Sequence, residues 1–433
     1  MMVRSLKAAV IGAGLSGLAV ARELKREGHR VVIYEKGDQL GGLWVYDPRV
    51  EADPLSLDSD REIVHSSLYR SLRTNTPRHI MGFSDYPFTV RENGDSRNFP
   101  RHEEVLNFLN EFARDFGLTE LIRFNTEVVG VERVDSRNNE EWDVESSSRG
   151  LSSHEVFEAV VICNGHHTKP RLANIPGIEK WPGKQIHSHN YRVPEPFRDQ
   201  VVVMIGDGPS GLDISKDVAT VAKEVHLSSR SPDAPVSKSD NYTNIWNHSK
   251  IDYVFEDSTV TFEDGSSVRA DIIFHCTGYE YHFPFLKTNG IVSIDDNRVG
   301  PLYKHVFSPE LGPWLSFVGI SYGVILSPML DLQCKWVALV LSGKLLLPSK
   351  EEMLADVEHY YQHMEESGIS KHHTHFIRPN EFEYVDWLAD QVGLPPLEER
   401  LKKISINIFK NIRILGERMK DEWDIDKEIE EAI

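Results

Sequence analysis

The chain has 433 residues, enough for two or three domains of about 150 residues each. Lys and Arg number 48 against 67 Asp and Glu, which gives a formal net charge of −19. That balance argues against a nucleic acid or an anionic membrane surface as partner, because both select basic patches.

The three cysteines form no CxxC pair, so neither a redox dithiol nor a cysteine zinc site is indicated. No apolar run reaches the ~20 residues of a membrane span, and scattered thiols suit a reducing compartment, so a cytoplasmic protein is expected.

The first motif is a glycine-rich turn between a strand and a helix. An apolar run at 8–11 precedes Gly12-Ala13-Gly14-Leu15-Ser16-Gly17. Residues 18–27 are predicted to form a helix and 31–35 a second strand. In such a βαβ unit the glycines let the backbone approach a pyrophosphate at the helix N-terminus. Glu35, about 20 residues beyond the last glycine, can accept the ribose hydroxyls, so FAD or NAD binding is predicted.

A second glycine turn has the same spacing but a different end to its second strand. A strand-like run leads into Gly206-Asp207-Gly208-Pro209-Ser210-Gly211, and a predicted helix over 212–223 leads to a strand over 224–229. Arg230 follows that strand in place of an acid. A guanidinium attracts the 2′-phosphate of NADP, which a carboxylate would repel. The second turn is therefore predicted to bind NADP.

Two residues of the second turn depart from the usual pattern. Asp207 brings a negative side chain near the expected pyrophosphate. Pro209 removes one backbone donor from the turn. The alternative for Arg230 is a solvated surface charge.

Two dinucleotide folds in one chain suggest a flavin paired with a nicotinamide. Further motifs lie outside the glycine turns: GGLW at 41–44, LRTNTPR at 72–78, MGFSDYPF at 81–88, WPGKQIHSHNY at 181–191 and HCTGY at 275–279. Through these motifs the sequence resembles the flavin-containing monooxygenases, which are class B flavoproteins, over nearly the whole chain. It is most similar to the plant branch that oxygenates sulfur. Tyr191 ends the fourth motif, where the related Baeyer–Villiger monooxygenases have tryptophan.

The resemblance implies an α/β fold with two Rossmann-like dinucleotide-binding domains, the NADP domain inserted into a discontinuous FAD domain. The FAD-binding domain is expected at 1–166 and 280–433, and the NADP-binding domain at 167–279. Residues 398–429 are predicted to be helical, and their apolar stripe consists of Ile404, Ile408, Ile412 and Leu415. The stripe is expected to pack on the core; the alternatives are that it covers a neighbouring molecule or lies on a membrane surface. The histidine cluster at 372–375 is expected to be a solvated loop, and no metal site is predicted.

The cofactor contacts follow from the turns and from the resemblance. FAD contacts are expected at Gly12, Ala13, Gly14, Leu15, Ser16, Gly17, Glu35, Lys36, Gly42, Leu43, Trp44, Asn75, Thr76, Thr277 and Gly278. NADP contacts are expected at Thr74, Asn75, Gly206, Asp207, Gly208, Pro209, Ser210, Gly211, Leu212, Asp213, Ser229 and Arg230.

The resemblance also implies a mechanism. NADPH reduces FAD, O2 adds to the flavin to give a C4a-hydroperoxide, and a soft nucleophile takes the distal oxygen. Asn75 is the expected catalytic residue, because an amide donor can hydrogen-bond the peroxide without acidifying it. The alternative is a turn asparagine before Pro77. For His187 a structural hinge and a direct catalytic role stay equally open.

The expected substrate is a thioether of the methylthioalkyl or S-alkyl cysteine type, oxidised to a sulfoxide. The alternative is N-oxygenation or N-hydroxylation of an amine or amino acid by the same intermediate. A flavin disulfide reductase also pairs two dinucleotide folds, but it needs a CxxC. A flavin-binding sensor without enzymatic activity would leave Arg230 and the segment around Asn75 unexplained. The oligomeric state stays open.

Overall fold

The structure, a computed structural model, describes residues 5–135, 140–230, 236–239, 241–415 and 418–430. The chain divides into two compact units. Unit 1 comprises residues 1–45, 73–165 and 281–433, and unit 2 comprises residues 46–72 and 166–280. The sequence prediction set its boundaries after 166 and 279 and assigned 46–72 to the FAD domain, so the grouping of 46–72 with unit 2 differs from it. Which unit binds which cofactor stays a prediction.

The strands, in chain order, are β1 (Lys7–Ile11), β2 (Arg30–Tyr34), β3 (Ile122–Arg123), β4 (Glu127–Asp135), β5 (Glu140–Ser148), β6 (Leu151–Phe157), β7 (Ala159–Ile162), β8 (Lys169–Pro170), β9 (Lys184–His187), β10 (Val201–Ile205), β11 (Glu224–Ser228), β12 (Ser237–Lys238), β13 (Ile245–His248), β14 (Ile251–Val254), β15 (Thr259–Phe262), β16 (Ser267–Arg269), β17 (Ile272–His275), β18 (Tyr279–Glu280), β19 (Leu286–Lys287), β20 (Ser293–Asp295), β21 (Arg298–Gly300) and β22 (Leu315–Phe317). The α-helices are α1 (Leu15–Arg26), α2 (His102–Asp115), α3 (Pro209–Ala219), α4 (Leu326–Leu341), α5 (Lys350–Glu366), α6 (Glu381–Gln391), α7 (Glu399–Leu415), α8 (Met419–Glu422) and α9 (Ile425–Glu430).

Unit 1 is built on a parallel sheet of five strands in the order β22-β7-β1-β2-β3. Successive residues of β1 face opposite sides of the sheet. Val10 therefore joins a core formed with α1, α2 and α4, while Ile11 joins a second core formed with β4 and β5. Both faces of the sheet are covered, which explains why β1 reads as a continuous apolar run.

Unit 2 repeats this arrangement on a sheet of six strands in the order β12-β13-β11-β10-β17-β9, parallel except for the β12–β13 pair. Val202 of β10 joins a core formed with α3. Val203 joins a core formed with the antiparallel strands β14 and β15. Together the units show the α/β fold with two Rossmann-like parallel sheets that the sequence predicts.

The C-terminal region differs from the sequence prediction. The predicted helical stretch is divided into α7, α8 and α9. Ile404 and Ile408 pack in the core of unit 1, as expected, but Ile412 is exposed. The side chain of Leu415 lies outside the described residues. Within the described ranges, no helix is both long and apolar enough to cross a membrane.

The expectation of a solvated histidine loop at 372–375 is wrong for its second half. Thr374 and His375 are buried. The Thr374 hydroxyl accepts from Arg298 at 2.8 Å, and His375 Nε2 accepts from the Val299 N–H at 3.0 Å. Partners elsewhere in unit 1 thus compensate the burial of both polar side chains.

A buried cluster of charges holds α1 in unit 1. The side chain of Arg22 is 1% exposed, and its guanidinium donates to Glu23, Asp85 and Asp331 at 2.7, 2.9 and 2.6 Å. Removing this buried cation takes one of two cationic partners from the buried carboxylates of Glu23 and Asp331. We therefore expect Arg22→Ala to lower the free energy of unfolding in urea by about 3–5 kcal/mol. Arg26→Ala is the matched control, because Arg26 also pairs with Glu23 and Asp85 but is 38% exposed. Its expected loss is below about 1 kcal/mol, and equal losses for the two variants would contradict the account.

Candidate functional site

The glycine turn of unit 1 joins β1 directly to α1. Gly12 has a φ of +106°, and a Cβ there would lie 2.5 Å from the Cys163 carbonyl oxygen. A Cβ on Gly17 would lie 1.9 Å from the Gly12 carbonyl oxygen, so only glycine lets the helix approach the strand this closely. Gly14 is the N-cap of α1, and no side chain within the described ranges caps this helix. The amides of the first helical turn are therefore available to an anionic ligand.

Glu35 is fixed beside this turn at the end of β2. Its Oε2 accepts from the Ala13 N–H at 2.9 Å, and its Oε1 accepts from the Gly37 N–H at 2.7 Å. The carboxylate is half-buried and fits the hydroxyls of an adenosine ribose. Lys36, another predicted FAD contact, forms an ion pair with Glu127 at 2.7 Å.

The GG of the GGLW motif packs on the same turn. Gly41 has a φ of +124° and donates its N–H to the Ala13 carbonyl at 3.0 Å. Gly42 has a φ of +55°, and a Cβ there would lie 3.0 Å from the Cα of Gly14. Close packing against the turn thus explains the second pair of glycines.

The glycine turn of unit 2 has the same construction. Gly206 has a φ of +103°, and a Cβ there would lie 2.6 Å from the Cys276 carbonyl oxygen. A Cβ on Gly211 would lie 1.9 Å from the Gly206 carbonyl oxygen. Pro209 is the first residue of α3, where an N–H has no partner within the helix, so the ring is favourable there. A Cβ on Gly208 would meet no described atom within 4 Å, so the turn is open where a phosphate would approach.

Arg230 lies just beyond β11 and is exposed. Because β10 and β11 are parallel, Arg230 and the glycine turn follow strands that end at the same edge of the sheet. Ser229 donates its N–H to the His248 carbonyl at 3.0 Å, and Asp207 is exposed at the turn. An exposed guanidinium at this edge fits the 2′-phosphate of NADP.

Thr74 and Asn75 lie in unit 1. Thr74 is buried, and among the described residues its hydroxyl has no hydrogen-bond partner. Burying an unpaired hydroxyl is unfavourable, so this group fits contact with a bound cofactor. Asn75 is exposed, and no hydrogen bond joins its amide to another described residue. The amide is therefore available to a ligand, while its catalytic role stays a prediction.

The predicted contacts divide between the units. Unit 1 contains residues 12–17, 35–36, 42–44 and 74–76, and unit 2 contains residues 206–213, 229–230 and 277–278. The two turns fit two different dinucleotides. The second strand is followed by an acid, Glu35, in unit 1 and by a cation, Arg230, in unit 2.

Comparison with known proteins decides the family. The profile described as FMO-like, flavin-binding monooxygenase-like, matches residues 5–249 and 242–402. The chain belongs to this family of flavin monooxygenases. It is therefore an oxidoreductase, and the family implies FAD and NADPH as cofactors.

Two similar proteins and one structure of similar fold show how far the likeness extends. The flavin-containing monooxygenase FMO GS-OX5 of Arabidopsis thaliana is 52% identical over 437 residues, which cover 99% of this chain and 94% of that protein. The structure of S-allyl-L-cysteine S-oxygenase from Allium sativum matches with a TM-score of 0.96 at 51% identity, covering 100% of this chain and 99% of that one. The open structure of cyclohexanone monooxygenase matches with a TM-score of 0.59 at 16% identity, covering 89% and 97%, and shows likeness of fold alone.

The arginine that ends the LRTNTPR motif (residues 72–78) of this flavin monooxygenase has a structural role. Arg78 is buried, and its guanidinium donates to the Arg97 carbonyl at 3.0 Å. The Thr74 N–H donates to the Pro100 carbonyl at 2.9 Å. These bonds hold both ends of the short segment that carries Asn75, so the motif positions that residue.

The motif over 181–191 forms part of unit 2, where β9 extends the sheet beside β17. His187 is buried, and its Nδ1 accepts from the His189 N–H at 3.0 Å. Its Nε2–H donates to the Gly278 carbonyl at 3.0 Å. Burial lowers the pKa of His187 to about 3, so the ring is neutral. Both ring nitrogens thus hold the fold, which favours the structural role over the catalytic one.

Two residues at the end of this motif and directly after it, Asn190 and Arg192, also attach residues 46–72 to unit 2. The Asn190 side-chain oxygen accepts from the Glu51 N–H at 2.9 Å. The buried Arg192 guanidinium donates to the Asp47 carbonyl at 2.7 Å. These buried bonds are the physical reason why 46–72 belongs with unit 2. Sequence reasoning missed them, because most of the partners are backbone groups.

Glu51 connects the segment to the motif through its side chain as well. Its carboxylate lies 3.3 Å from His189 Nε2 and accepts from Arg61 Nε at 2.5 Å. Burial acts to raise the pKa of Glu51, but hydrogen bonds from His189, Ser56 and Arg61 outweigh it and lower the pKa to about 2.

We expect Glu51→Gln to lower the free energy of unfolding by about 2–3 kcal/mol at neutral pH. The folded pKa is depressed, so the stabilisation is present above the unfolded value of 4.5 and is lost as pH falls toward about 2. The difference in Tm between wild type and variant should therefore narrow as pH falls below about 5. Glu62→Gln removes a carboxylate that pairs with the exposed Arg49 at 3.1 Å and should change Tm little at any pH. If the difference in Tm between wild type and Glu51→Gln does not change with pH, the ionised Glu51 carboxylate does not stabilise the fold.

Proposed function

We propose that this flavin monooxygenase uses NADPH and O2 to transfer one oxygen atom to the sulfur of a thioether, giving a sulfoxide. The substrate class is the S-alkyl cysteine or methylthioalkyl type. The observation that carries the proposal is the likeness over the full length to S-allyl-L-cysteine S-oxygenase at 51% identity.

The residues that hold the cofactors are proposed from the donor sets of the two turns. The unit 1 turn and Glu35 hold FAD, with helix amides facing the pyrophosphate and the carboxylate facing the ribose. The unit 2 turn and Arg230 hold NADP, with the guanidinium facing the 2′-phosphate. Bound FAD, reduced by NADPH, supplies the activation of O2.

The chain's own contribution to oxygen transfer is proposed to be a fixed donor and the exclusion of water. Asn75 supplies an amide N–H at the reaction centre that stabilises negative charge without giving up its proton. A thioether is a soft nucleophile, so its attack needs no acid–base pair from the protein. The absence of a need for an acid or base agrees with Asn75, whose amide side chain is uncharged.

The test uses the purified FAD-loaded protein in air with NADPH and paired acceptors. An S-alkyl cysteine, a methylthioalkyl compound and an amine of matched length are each supplied, and NADPH, sulfoxide, N-oxide and H2O2 are quantified. We expect one sulfoxide for each NADPH consumed with a thioether and mainly H2O2 with the amine. N-oxide formed in step with NADPH consumption, with no sulfoxide, would contradict the assignment to sulfur.

A further inference from the structure

A cavity of about 770 Å³ lies in unit 1, between α5, α6 and the turn that carries Lys304 and His305. Pockets of roughly 300–1,000 Å³ hold small organic ligands. Aromatic side chains form much of its wall, among them Tyr360, Phe376 and Trp387. The two cofactor turns and Asn75 contribute nothing to its lining.

The turn that carries the Lys304 ammonium and the His305 imidazole has a strained backbone. Lys304 and His305 have φ values of +47° and +64°. They are the central residues of a turn in which the Val306 N–H donates to the Tyr303 carbonyl at 3.0 Å. Turns with two positive φ values favour asparagine and glycine, and residues held in strained backbone conformations cluster at functional sites. The strain points to a use for these two side chains.

A chain of hydrogen bonds fixes the proton on His305. His375 Nε2 accepts from the Val299 N–H at 3.0 Å, so the neutral ring of His375 carries its proton on Nδ1. The His375 Nδ1–H donates to His305 Nδ1 at 3.1 Å. Because His305 Nδ1 accepts this bond, the neutral His305 ring carries its proton on Nε2. Burial lowers the pKa of His305 to about 4, so the ring is neutral. In the part of the chain that is described, this Nε2–H has no partner, and His305 lines the cavity.

Four charged side chains of both signs line the cavity: Lys304, Arg378, Asp356 and Glu383. The Lys304 ammonium lies 2.7 Å from the Asp356 carboxylate, and both side chains are about one-third exposed. Because the two cations and two carboxylates cancel, the lining matches neither a net anion nor a net cation. It offers partners of both signs, so among charged ligands it matches one that carries both charges.

We propose that this cavity binds a zwitterion with an apolar body, either an apolar amino acid or a short apolar peptide. The ligand carboxylate meets the Lys304 ammonium and the His305 Nε2–H. The ligand ammonium meets Asp356 or Glu383, and the apolar body packs on the aromatic wall. The proposal does not depend on which acceptor the enzyme oxygenates.

Titration calorimetry of the FAD-loaded full-length protein with L-leucyl-L-leucine tests the proposal, because this dipeptide offers no sulfur for oxidation. We expect one-to-one binding. The N-acetyl dipeptide lacks the ammonium and the dipeptide amide lacks the carboxylate, so each should bind about tenfold more weakly or worse. A parallel titration with L-leucine distinguishes an amino acid ligand from a peptide ligand. Tighter binding of L-leucine indicates an amino acid, and tighter binding of the dipeptide indicates a peptide. Lack of binding by both, or equal binding of the blocked dipeptides, overturns the proposal.

Variants of residues in the lining test whether the dipeptide binds in this cavity. Lys304→Met and Asp356→Asn should each weaken binding about tenfold, because each removes one charged contact. Lys402→Met is the matched control, because Lys402 pairs with Asp386 at the same 2.7 Å outside the cavity. Ile369→Trp keeps all four charges and narrows the cavity, so it should weaken binding even if the charge variants fold poorly. Unchanged affinity in Lys304→Met and Ile369→Trp contradicts the assignment.

Discussion

The Asn75→Ala variant is expected to retain FAD but to form roughly a hundredfold less product for each NADPH consumed, releasing H2O2 instead. The loss of one preorganised donor to developing negative charge typically costs about 10²–10³ in kcat. The exposed amide of Asn75 has no hydrogen bond to another described residue, so its removal should leave the fold of unit 1 intact. The measurements are the flavin absorbance of the purified variant and parallel assays of NADPH, sulfoxide and H2O2.

The control for this variant is Asn110→Ala. Asn110 is exposed on α2, and its amide donates to the Leu106 carbonyl at 2.8 Å within that helix. Its loss should leave the ratio of product to NADPH unchanged. Normal coupling in Asn75→Ala would show that Asn75 is a turn residue without a catalytic role.

Replacing Arg230 by alanine is expected to raise the KM for NADPH by about 10- to 100-fold and to leave the KM for NADH nearly unchanged. One charge-assisted hydrogen bond to the 2′-phosphate contributes about 1.5–3 kcal/mol, which corresponds to this range. NADH lacks that phosphate, so the guanidinium has little to contribute to its binding. Steady-state kinetics with both nucleotides measures the change in preference.

Lys223→Ala is the control for general charge effects. Lys223 is exposed in unit 2 and precedes β11, whereas Arg230 follows that strand. Its loss removes one positive charge from the same unit and should leave the ratio of the two KM values unchanged. If Arg230→Ala also leaves this ratio unchanged, Arg230 is a solvated surface charge and the NADP assignment loses its support.

The two glycine turns could be predicted from sequence because their geometry allows few other residues. Gly12 and Gly206 have positive φ values, and Gly17 and Gly211 lie against carbonyl oxygens at distances no side chain tolerates. Such constraints act within a few residues of the chain, so they leave a readable spacing. The starts of α1 and α3 were less predictable. Both begin three residues before the predicted positions, because the last residues of each glycine turn already form the first helical turn.

The attachment of 46–72 to unit 2 could not be predicted in the same way. Arg192 bonds to the Asp47 carbonyl, and a carbonyl is present in every residue. Such a bond leaves no spacing or residue type to recognise in its partner. His375 shows the same limit, because the Val299 amide that makes its burial favourable is distant in sequence. Long-range partners for polar groups are therefore the part of this fold that sequence patterns do not reveal.

The most direct test of the central claim is to supply oxygen-18 gas with NADPH and an S-alkyl cysteine and to analyse the product by mass spectrometry. The account predicts a sulfoxide that carries one labelled oxygen atom, formed in a one-to-one ratio with NADPH consumed. An unlabelled sulfoxide, a labelled N-oxide, or NADPH consumption matched entirely by H2O2 would contradict the assignment as a sulfur monooxygenase.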